Sequence, residues 1–299
     1  MRGQAFSPGH VTGIFAGVNN KDVLRSGSVG VGVNIGLGVS TFVKIEQNCR
    51  YSCEVRINGV KRNDAYTSHH VVKKAAELVK RPFKIQVDHN TPLPMGAGFG
   101  TSGAGALGLS LVINNIMELG LSRIDAAKLA HEAEVLNKTG LGTVTAELCG
   151  GLEMRTSAGA PGVSVASKIP SRKGLTLVSM VYGPISTSRM LSNELINRKI
   201  NIISKPLLAA LRDNPTANLL MKNSSEFTKK IGLASPHLKM VLEKLESIGY
   251  QAGMTMFGEG IFTLVKENEI LELCKKLDSL ESRGMIILSR VDSQGAFVY

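Results

Sequence analysis

The stretch Pro94-Met-Gly-Ala-Gly98-Phe-Gly100-Thr101-Ser102-Gly103-Ala-Gly105-Ala-Leu-Gly108 runs straight into the apolar Leu109-Ser-Leu-Val-Ile113. Glycines let a backbone approach an anion closely. The first N–H groups of a helix point at that anion, with the positive end of the helix dipole behind them. A glycine-dense loop that ends in hydroxyl residues and opens a helix therefore reads as a phosphate holder, in preference to a flexible loop capped by Thr101 or Ser102. Two common phosphate motifs compete for it. A P-loop requires Gly-Lys before Ser or Thr, and the chain has no Gly-Lys pair. The dinucleotide pattern Gly-x-Gly-x-x-Gly matches at Gly98/Gly100/Gly103 and at Gly103/Gly105/Gly108, but it wants its first glycine immediately after a strand. Here Asp88 to Pro94 separates the strand-like Phe83-Lys-Ile-Gln-Val87 from the loop. Asp125 sits at a helix start instead of after a second parallel strand.

A third pattern fits better. Pro-x-Gly-x-Gly-x-Gly-Thr-Ser followed by small residues resembles the phosphate loop of the GHMP kinases, the family of galactokinase, homoserine kinase, mevalonate kinase and phosphomevalonate kinase. Ser7-Pro8-Gly9-His10-Val11-Thr12-Gly13-Ile14-Phe15 looks like that family's first motif, a turn leading into a strand. Gly253-Met-Thr-Met-Phe257-Gly258-Glu259-Gly260-Ile-Phe-Thr-Leu-Val265 looks like its third, a glycine turn between two strands. Within the family, Ser7-Pro-Gly-His10, Thr139-Gly-Leu-Gly-Thr-Val-Thr145 and Gly159-Ala-Pro-Gly162 are most similar to the archaeal-type pantoate kinases. The resemblance implies an α+β, two-domain GHMP kinase fold: an N-terminal ribosomal-protein-S5-domain-2-like half and a C-terminal ferredoxin-like α/β sandwich. It implies a phosphotransferase with an alcohol group as acceptor, using ATP and Mg²⁺. The acceptor it points to is (R)-pantoate, converted to 4-phosphopantoate in coenzyme A synthesis. The alternatives are a kinase for homoserine, shikimate or mevalonate, and a non-catalytic nucleotide or sugar sensor on the same fold.

Carried onto this chain, the resemblance gives Pro94, Gly96, Gly98, Gly100, Thr101, Ser102 and Gly103 to the nucleotide phosphates. It gives the Ser102 hydroxyl and a carboxylate of His131-Glu132-Ala-Glu134-Val135 to Mg²⁺, with Glu134 better spaced than Glu132. Mg²⁺ keeps several waters and needs few protein ligands. The chain departs from the mevalonate-kinase pattern twice. The slot of that branch's aspartate base falls on Thr143 or Val144, and its first-motif lysine is replaced by His10. Homoserine kinases also lack the aspartate. His10 titrates near working pH, so it could act as acid or base or hydrogen-bond the acceptor. Pantoate offers a primary hydroxyl and a carboxylate, and a carboxylate is best held by a guanidinium. Arg155 and Arg25 are the candidates. His69-His70, His89 and His237 show no partner spacing and read as surface or packing residues.

A chain of 299 residues can bury a substantial core. The formal charge of +11 and pI near 9.6 suit nucleic acid, a membrane surface or anionic small molecules. The basic clusters are only pairs, such as Lys73-Lys74, Lys80-Arg81, Arg172-Lys173 and Lys275-Lys276, without interleaved aromatics for base stacking. No apolar run approaches the roughly 20 residues of a membrane span. The four cysteines, Cys49, Cys53, Cys149 and Cys274, lack the second pair and the histidines of a zinc site. Sparse cysteine and no signal-peptide pattern predict a cytoplasmic protein. Its expected partners are the small-molecule substrate and ATP, with no nucleic acid and no membrane, and a homodimer is allowed.

The elements that must position these residues follow from periodicity. Gly27–Val39, Phe42–Ile45 and Ser52–Ile57 alternate as strands, Asn58-Gly59 signals a tight turn, and residues 68–80 pattern as an amphipathic helix. A strand at 83–87, the loop, a helix to about Leu119 and a capping box at Ser122-Arg-Ile-Asp125 follow. That box opens a helix ending near Gly140, and a strand follows the Gly150-Gly151 turn. The breaker-rich segments Ser157–Gly162 and Ile169–Gly174 place the domain boundary, giving residues 1–165 to the nucleotide-binding domain and 166–299 to the second. The second half reads as a strand at 175–182, helices near 187–197, 204–230 and 235–248, strands near 250–256 and 260–265, a helix to about 282, and a strand at 285–290.

Overall fold

The computed structural model describes residues 1–48, 50–171, 174–280 and 283–299; Cys49 and the pair Arg172-Lys173 lie outside the described residues. In chain order the first half holds β1 (Arg2–Val18), β2 (Gly27–Gln47), β3 (Ser52–Ile57), β4 (Val60–Lys61), α1 (Tyr66–Val79), β5 (Phe83–Asn90), α2 (Thr101–Ile116), α3 (Arg123–Leu136), α4 (Thr143–Cys149), β6 (Leu152–Arg155) and β7 (Ala166–Lys168). Next come β8 (Leu175–Pro184), α5 (Thr187–Leu191), α6 (Glu194–Asp213), α7 (Ala217–Ile231), α8 (Pro236–Ser247), β9 (Gly253–Met254), β10 (Gly258–Lys266), α9 (Ile270–Leu280), β11 (Met285–Arg290) and β12 (Phe297–Val298).

The first sheet has the order β12-β1-β2-β5-β3-β4, and β6 and β7 extend the far end of β2. The segments read as separate strands at 27–39 and 42–45 form one strand, β2, which pairs with β1 along the length of both. The expected turn at Ser7-Pro8-Gly9-His10 is also a correction. It lies inside β1, where the register slips between Pro8 and Gly9. Proline cannot donate to a strand ladder, and a bulge accommodates it without ending the strand. The Asn58-Gly59 turn is as expected, with both residues at positive φ (49° and 80°) between β3 and β4. Helix α2 is apolar all round and buried along most of its length, with β1 and β2 on one side and α1 and α3 on the other.

The second sheet has the order β11-β8-β10-β9, the strand order 4-1-3-2 of a ferredoxin-like unit. The expected helix at 204–230 is two helices, because α6 runs through Pro206 and ends at Asp213, with Asn214 as its C-cap before Pro215. Pro215 drives the preceding Asn214 out of helical backbone (φ −140°, ψ 78°). The helix expected at 187–197 breaks at Ser192-Asn193, where the Asn193 side chain caps α6. Strand β12, not foreseen, returns to the first sheet and pairs Val298 with Ala5. One hydrophobic cluster joins the halves: Val11, Ile14, Val31 and Val33 of the first sheet pack with Leu177, Val178, Ile261 and Phe262 of the second. Among the described residues no helix is long and apolar enough to cross a membrane.

Candidate active site

The phosphate loop is held between the first and third motifs. His10 donates its backbone N–H to Phe99 O at 2.9 Å, so the bulged strand β1 fixes one side of the loop. On the other side, Gly98 (φ +85°) lies so close to the β9–β10 turn that a Cβ would stand 2.9 Å from Thr255 Cβ and Met256 O. A Cβ on Gly258 would collide with the Ala97 backbone. Gly100, in the left-handed region at φ +67°, is the N-cap of α2, and no side chain caps the first turn. Those amides therefore face an open cleft of about 750 Å³ that includes Gly96, Gly98, Gly100, Thr101 and Ser102 in its wall. Pro94 and Gly103 line neither this cleft nor its neighbour; Gly103 is buried behind the loop.

At this end the cleft is rich in carboxylates. Ser102 Oγ donates to Glu134 Oε1 at 2.7 Å and Thr139 Oγ1 donates to the same oxygen at 2.6 Å. Burial raises the Glu134 carboxyl above its usual range, against the pull of these two hydroxyls. Glu132 points elsewhere and pairs with Lys74 at 2.9 Å. Sequence reasoning missed Glu147. Its two carboxylate oxygens are buried beneath Thr143 and Gly100 with no hydrogen-bond partner among the described residues. A Cβ on Gly103 would sit 3.2 Å from Glu134 Oε2 and 3.3 Å from Glu147 Oε2, so the two carboxylates converge on one point of the loop. Burial, then the Glu134 charge, pushes the Glu147 carboxyl well above its usual range. No helix was expected at 143–149, so the four-residue spacing that puts Thr143 and Glu147 on one face of α4 gave no signal.

The other end of the cleft is built on β1 and β6. His10 Nε2 and Glu153 Oε1 are 3.0 Å apart, and Arg155 Nη1 donates to the same oxygen. All three side chains are at most 1% exposed. Burial works to raise the Glu153 carboxyl, but the Arg155 charge and the His10 bond outweigh it and hold it below the usual range. Burial lowers His10, against Glu153, which works to raise it. With Glu153 ionised and His10 neutral, we assign the Nε2–H tautomer; Nδ1 is left as the acceptor, 3.5 Å from Thr12 Oγ1. Arg155 Nε is buried and unpartnered among the described residues; a Cβ on Gly142 would stand 2.6 Å from it and collide with Ser28 Oγ. Glu153, also missed, sits two residues before Arg155 on a strand and hence on the same face.

The remaining expectations sort by position. Thr143 lines the cleft, whereas Val144 is in the core. Arg25 does not reach the cleft; its side chain is 71% exposed beside Asp22. His89 is a packing residue with two hydroxyl partners, Thr41 at 2.9 Å and Ser68 at 3.0 Å, and burial lowers it to about 4. Among the described residues, no group of three or more His, Cys, Asp and Glu side chains could hold a metal ion. Ser102 and Glu134 remain as a two-donor oxygen set, with the orphaned Glu147 carboxylate close by.

Residues 70–151, which include the loop, α3 and α4, match the family model of the GHMP kinases N-terminal domain. Over 272 residues the chain is 34% identical to a pantoate kinase of Thermococcus kodakarensis, covering 89% of this chain and 88% of that one. This chain belongs to the pantoate kinase family of GHMP kinases. A second pantoate kinase, from Methanospirillum hungatei, is 31% identical over the same shares. A solved phosphotransferase related to the CoA biosynthesis pathway superposes with a TM-score of 0.89 at 30% identity, over 100% of this chain and 99% of that one. The likeness to pantoate kinases thus extends well beyond the residues that the family model matches, over 89% of this chain.

Proposed function

We propose that this chain transfers the γ-phosphoryl group of ATP to the primary hydroxyl of (R)-pantoate, forming 4-phosphopantoate for coenzyme A synthesis. The observation that carries the reading is Arg155: a buried guanidinium in the cleft wall with Nε unpartnered beside Ser28 Oγ. A carboxylate acceptor satisfies that donor, and a plain alcohol leaves it unsatisfied. A second cavity of about 760 Å³, lined by Asp64, Tyr66 and Met95 among others, meets the first at Gly96, Thr101, Ser102 and Thr139. Phosphates at the shared start of α2 place the nucleoside in the second cavity and the acceptor in the first.

Ser102 and Glu134 are oxygen donors that fit Mg²⁺, which supplies neutralisation of the phosphate charge. Arg155 and Ser28 orient the acceptor, and the amides of the α2 first turn hold the transferring group. No carboxylate stands at the Thr143 slot, so the acceptor hydroxyl loses its proton late, as a loose transition state allows. The same reading assigns nucleotide binding to residues 1–165 and the closing wall to residues 166–299. An assay of ADP release with pantoate, its amide, homoserine, shikimate and mevalonate tests it. Pantoate is expected to be preferred, and equal use of pantoate and its amide overturns the role of Arg155. No turnover on any acceptor leaves the nucleotide-sensor reading.

A further inference from the structure

Glu153, Arg155 and His10 form one buried cluster whose charges cancel in the empty protein: one carboxylate, one guanidinium and a neutral imidazole within hydrogen-bond reach. Resting on the proposed use of Arg155 for a carboxylate acceptor, we propose that the acceptor binds together with one proton from solvent, taken up on His10 Nδ1, and that Glu153 is the positioning residue that makes this uptake necessary.

The cluster is buried, so its charges must balance. The guanidinium that meets the acceptor's carboxylate is already compensated by Glu153, so the bound acceptor adds a full negative charge to a cluster without spare positive charge. An uncompensated buried charge is costly, and the nearest group that can gain a positive charge is His10. Its Nε2–H is committed to Glu153, and Nδ1, whose partner Thr12 Oγ1 lies 3.5 Å away and can accept as well as donate, is the nitrogen that can take a proton. Burial keeps His10 neutral until the acceptor arrives. From β6, Glu153 favours the imidazolium and Arg155 opposes it. From the opposite wall, α4 brings Glu147 behind Gly100, which His10 Cβ also faces, and α3 brings Glu134 into the same cleft. Strand β2 packs uncharged Gly32 against the ring. Burial holds Glu134 and Glu147 toward their neutral forms, so the charge that favours the protonated ring once Arg155 is shared with the acceptor is that of Glu153.

The test is calorimetric titration of pantoate into the protein saturated with Mg²⁺ and a non-hydrolysable ATP analogue. It is run near pH 7.5 in phosphate and in Tris, buffers of low and high ionisation enthalpy. The difference in apparent enthalpy counts protons, and the expected result is an uptake of about 0.5–1 per pantoate, with Kd rising as pH rises. Pantoate is itself ionised throughout this range. In Glu153→Gln the empty cluster carries one positive charge, so pantoate should bind with little proton uptake and with a flat pH profile. A residue needed only for structure would leave the uptake and the pH profile as in the wild type. In His10→Asn the uptake should vanish and affinity should fall. Pantoate binding to the wild type without proton uptake overturns the inference, as does uptake that persists in His10→Asn. Absence of pantoate binding overturns the functional reading beneath it.

Discussion

The two ends of the cleft handle buried carboxylates in opposite ways. At the β6 end, Glu153 shares one oxygen with Arg155 and His10, and its ionised form is favoured. At the α2 end, Glu134 is met only by hydroxyls and Glu147 by nothing among the described residues, and both carboxyls are raised. A neutralised carboxylate with a guanidinium half free is prepared for an anion. A pair of carboxylates without a cation is prepared for one. The difference supports the direction proposed for the cleft, with the acceptor carboxylate at Arg155 and metal and phosphates at the start of α2.

Removing the guanidinium should have the largest effect. Arg155→Ala leaves Glu153 buried beside a neutral imidazole, and truncating one partner of a buried charge pair costs about 2–5 kcal/mol. The expected outcome is a rise of at least about a hundredfold in KM for pantoate, with KM for ATP changed far less. If the alanine variant does not fold, Arg155→Lys retains the charge but loses the planar fork, and it should show the same selective effect on pantoate. Steady-state kinetics in both substrates checks this. Equal changes in the two KM values would remove Arg155 from the acceptor site.

At the α2 end the losses should be smaller and should respond to metal. Glu134→Gln is expected to lower turnover by at least about tenfold, partly recovered by added Mg²⁺, since a lost ligand can be offset by metal concentration and a lost base cannot. Ser102→Ala should resemble it, with circular dichroism as the folding control. Wild-type turnover of Ser102→Ala at limiting Mg²⁺ removes the hydroxyl from the metal site.

Part of the candidate site was legible because its residues are written locally. The expectation that the loop holds an anion rests on glycines, hydroxyls and an abrupt helix start, all contiguous between residues 94 and 113. Glu134 was named through the family's spacing and Arg155 as a guanidinium suited to a carboxylate, and both line the cleft. Glu153 and Glu147 were not singled out, since a charged residue in a short strand or helix ordinarily faces water, and only the tertiary closure of β1, β2 and α2 over them makes them buried. Arg25 was misjudged for the complementary reason: it lies near the first motif in sequence, but a 3-10 turn at Val23–Arg25 directs it to solvent. The strand at 297–298 escaped because two residues carry no periodicity; its pairing with β1 is decided wholly by where the preceding chain ends.

The two ends should also differ in the pH dependence of stability. Glu153 is depressed in the folded protein, so its contribution is present above the unfolded carboxylate pKa and is lost as pH falls through the folded value. Glu147 is raised, so its contribution is full below the unfolded pKa and is lost as pH rises through the folded value. Glu147→Gln should therefore flatten the fall in stability between about pH 5 and pH 8, with a gain of about 1 kcal/mol at the upper end. Urea unfolding at both pH values measures it. An unchanged slope would mean that Glu147 is satisfied by a partner absent from its described surroundings.

The smallest expected effect is the most pointed. If the chain had merely lost a base, restoring an aspartate at Thr143 should speed the reaction. The geometry argues otherwise. The Thr143 methyl lies against Gly100 and Gly103, where the Glu134 and Glu147 carboxylates already converge, and its hydroxyl lies near Gly140, which a Glu134 oxygen crowds. A third carboxylate there meets two others in a buried setting, so it either takes up a proton, and cannot accept one, or repels its neighbours and the phosphates. Thr143→Asp should leave turnover unchanged or lower it about two- to fivefold, and the fall should be relieved in the Glu147→Gln background, where one of the crowding charges is gone. The double variant separates the cases. A severalfold gain from Thr143→Asp alone would show that transfer here waits on a base. A loss rescued by Glu147→Gln would show that the α2 end is limited by how much negative charge it can hold.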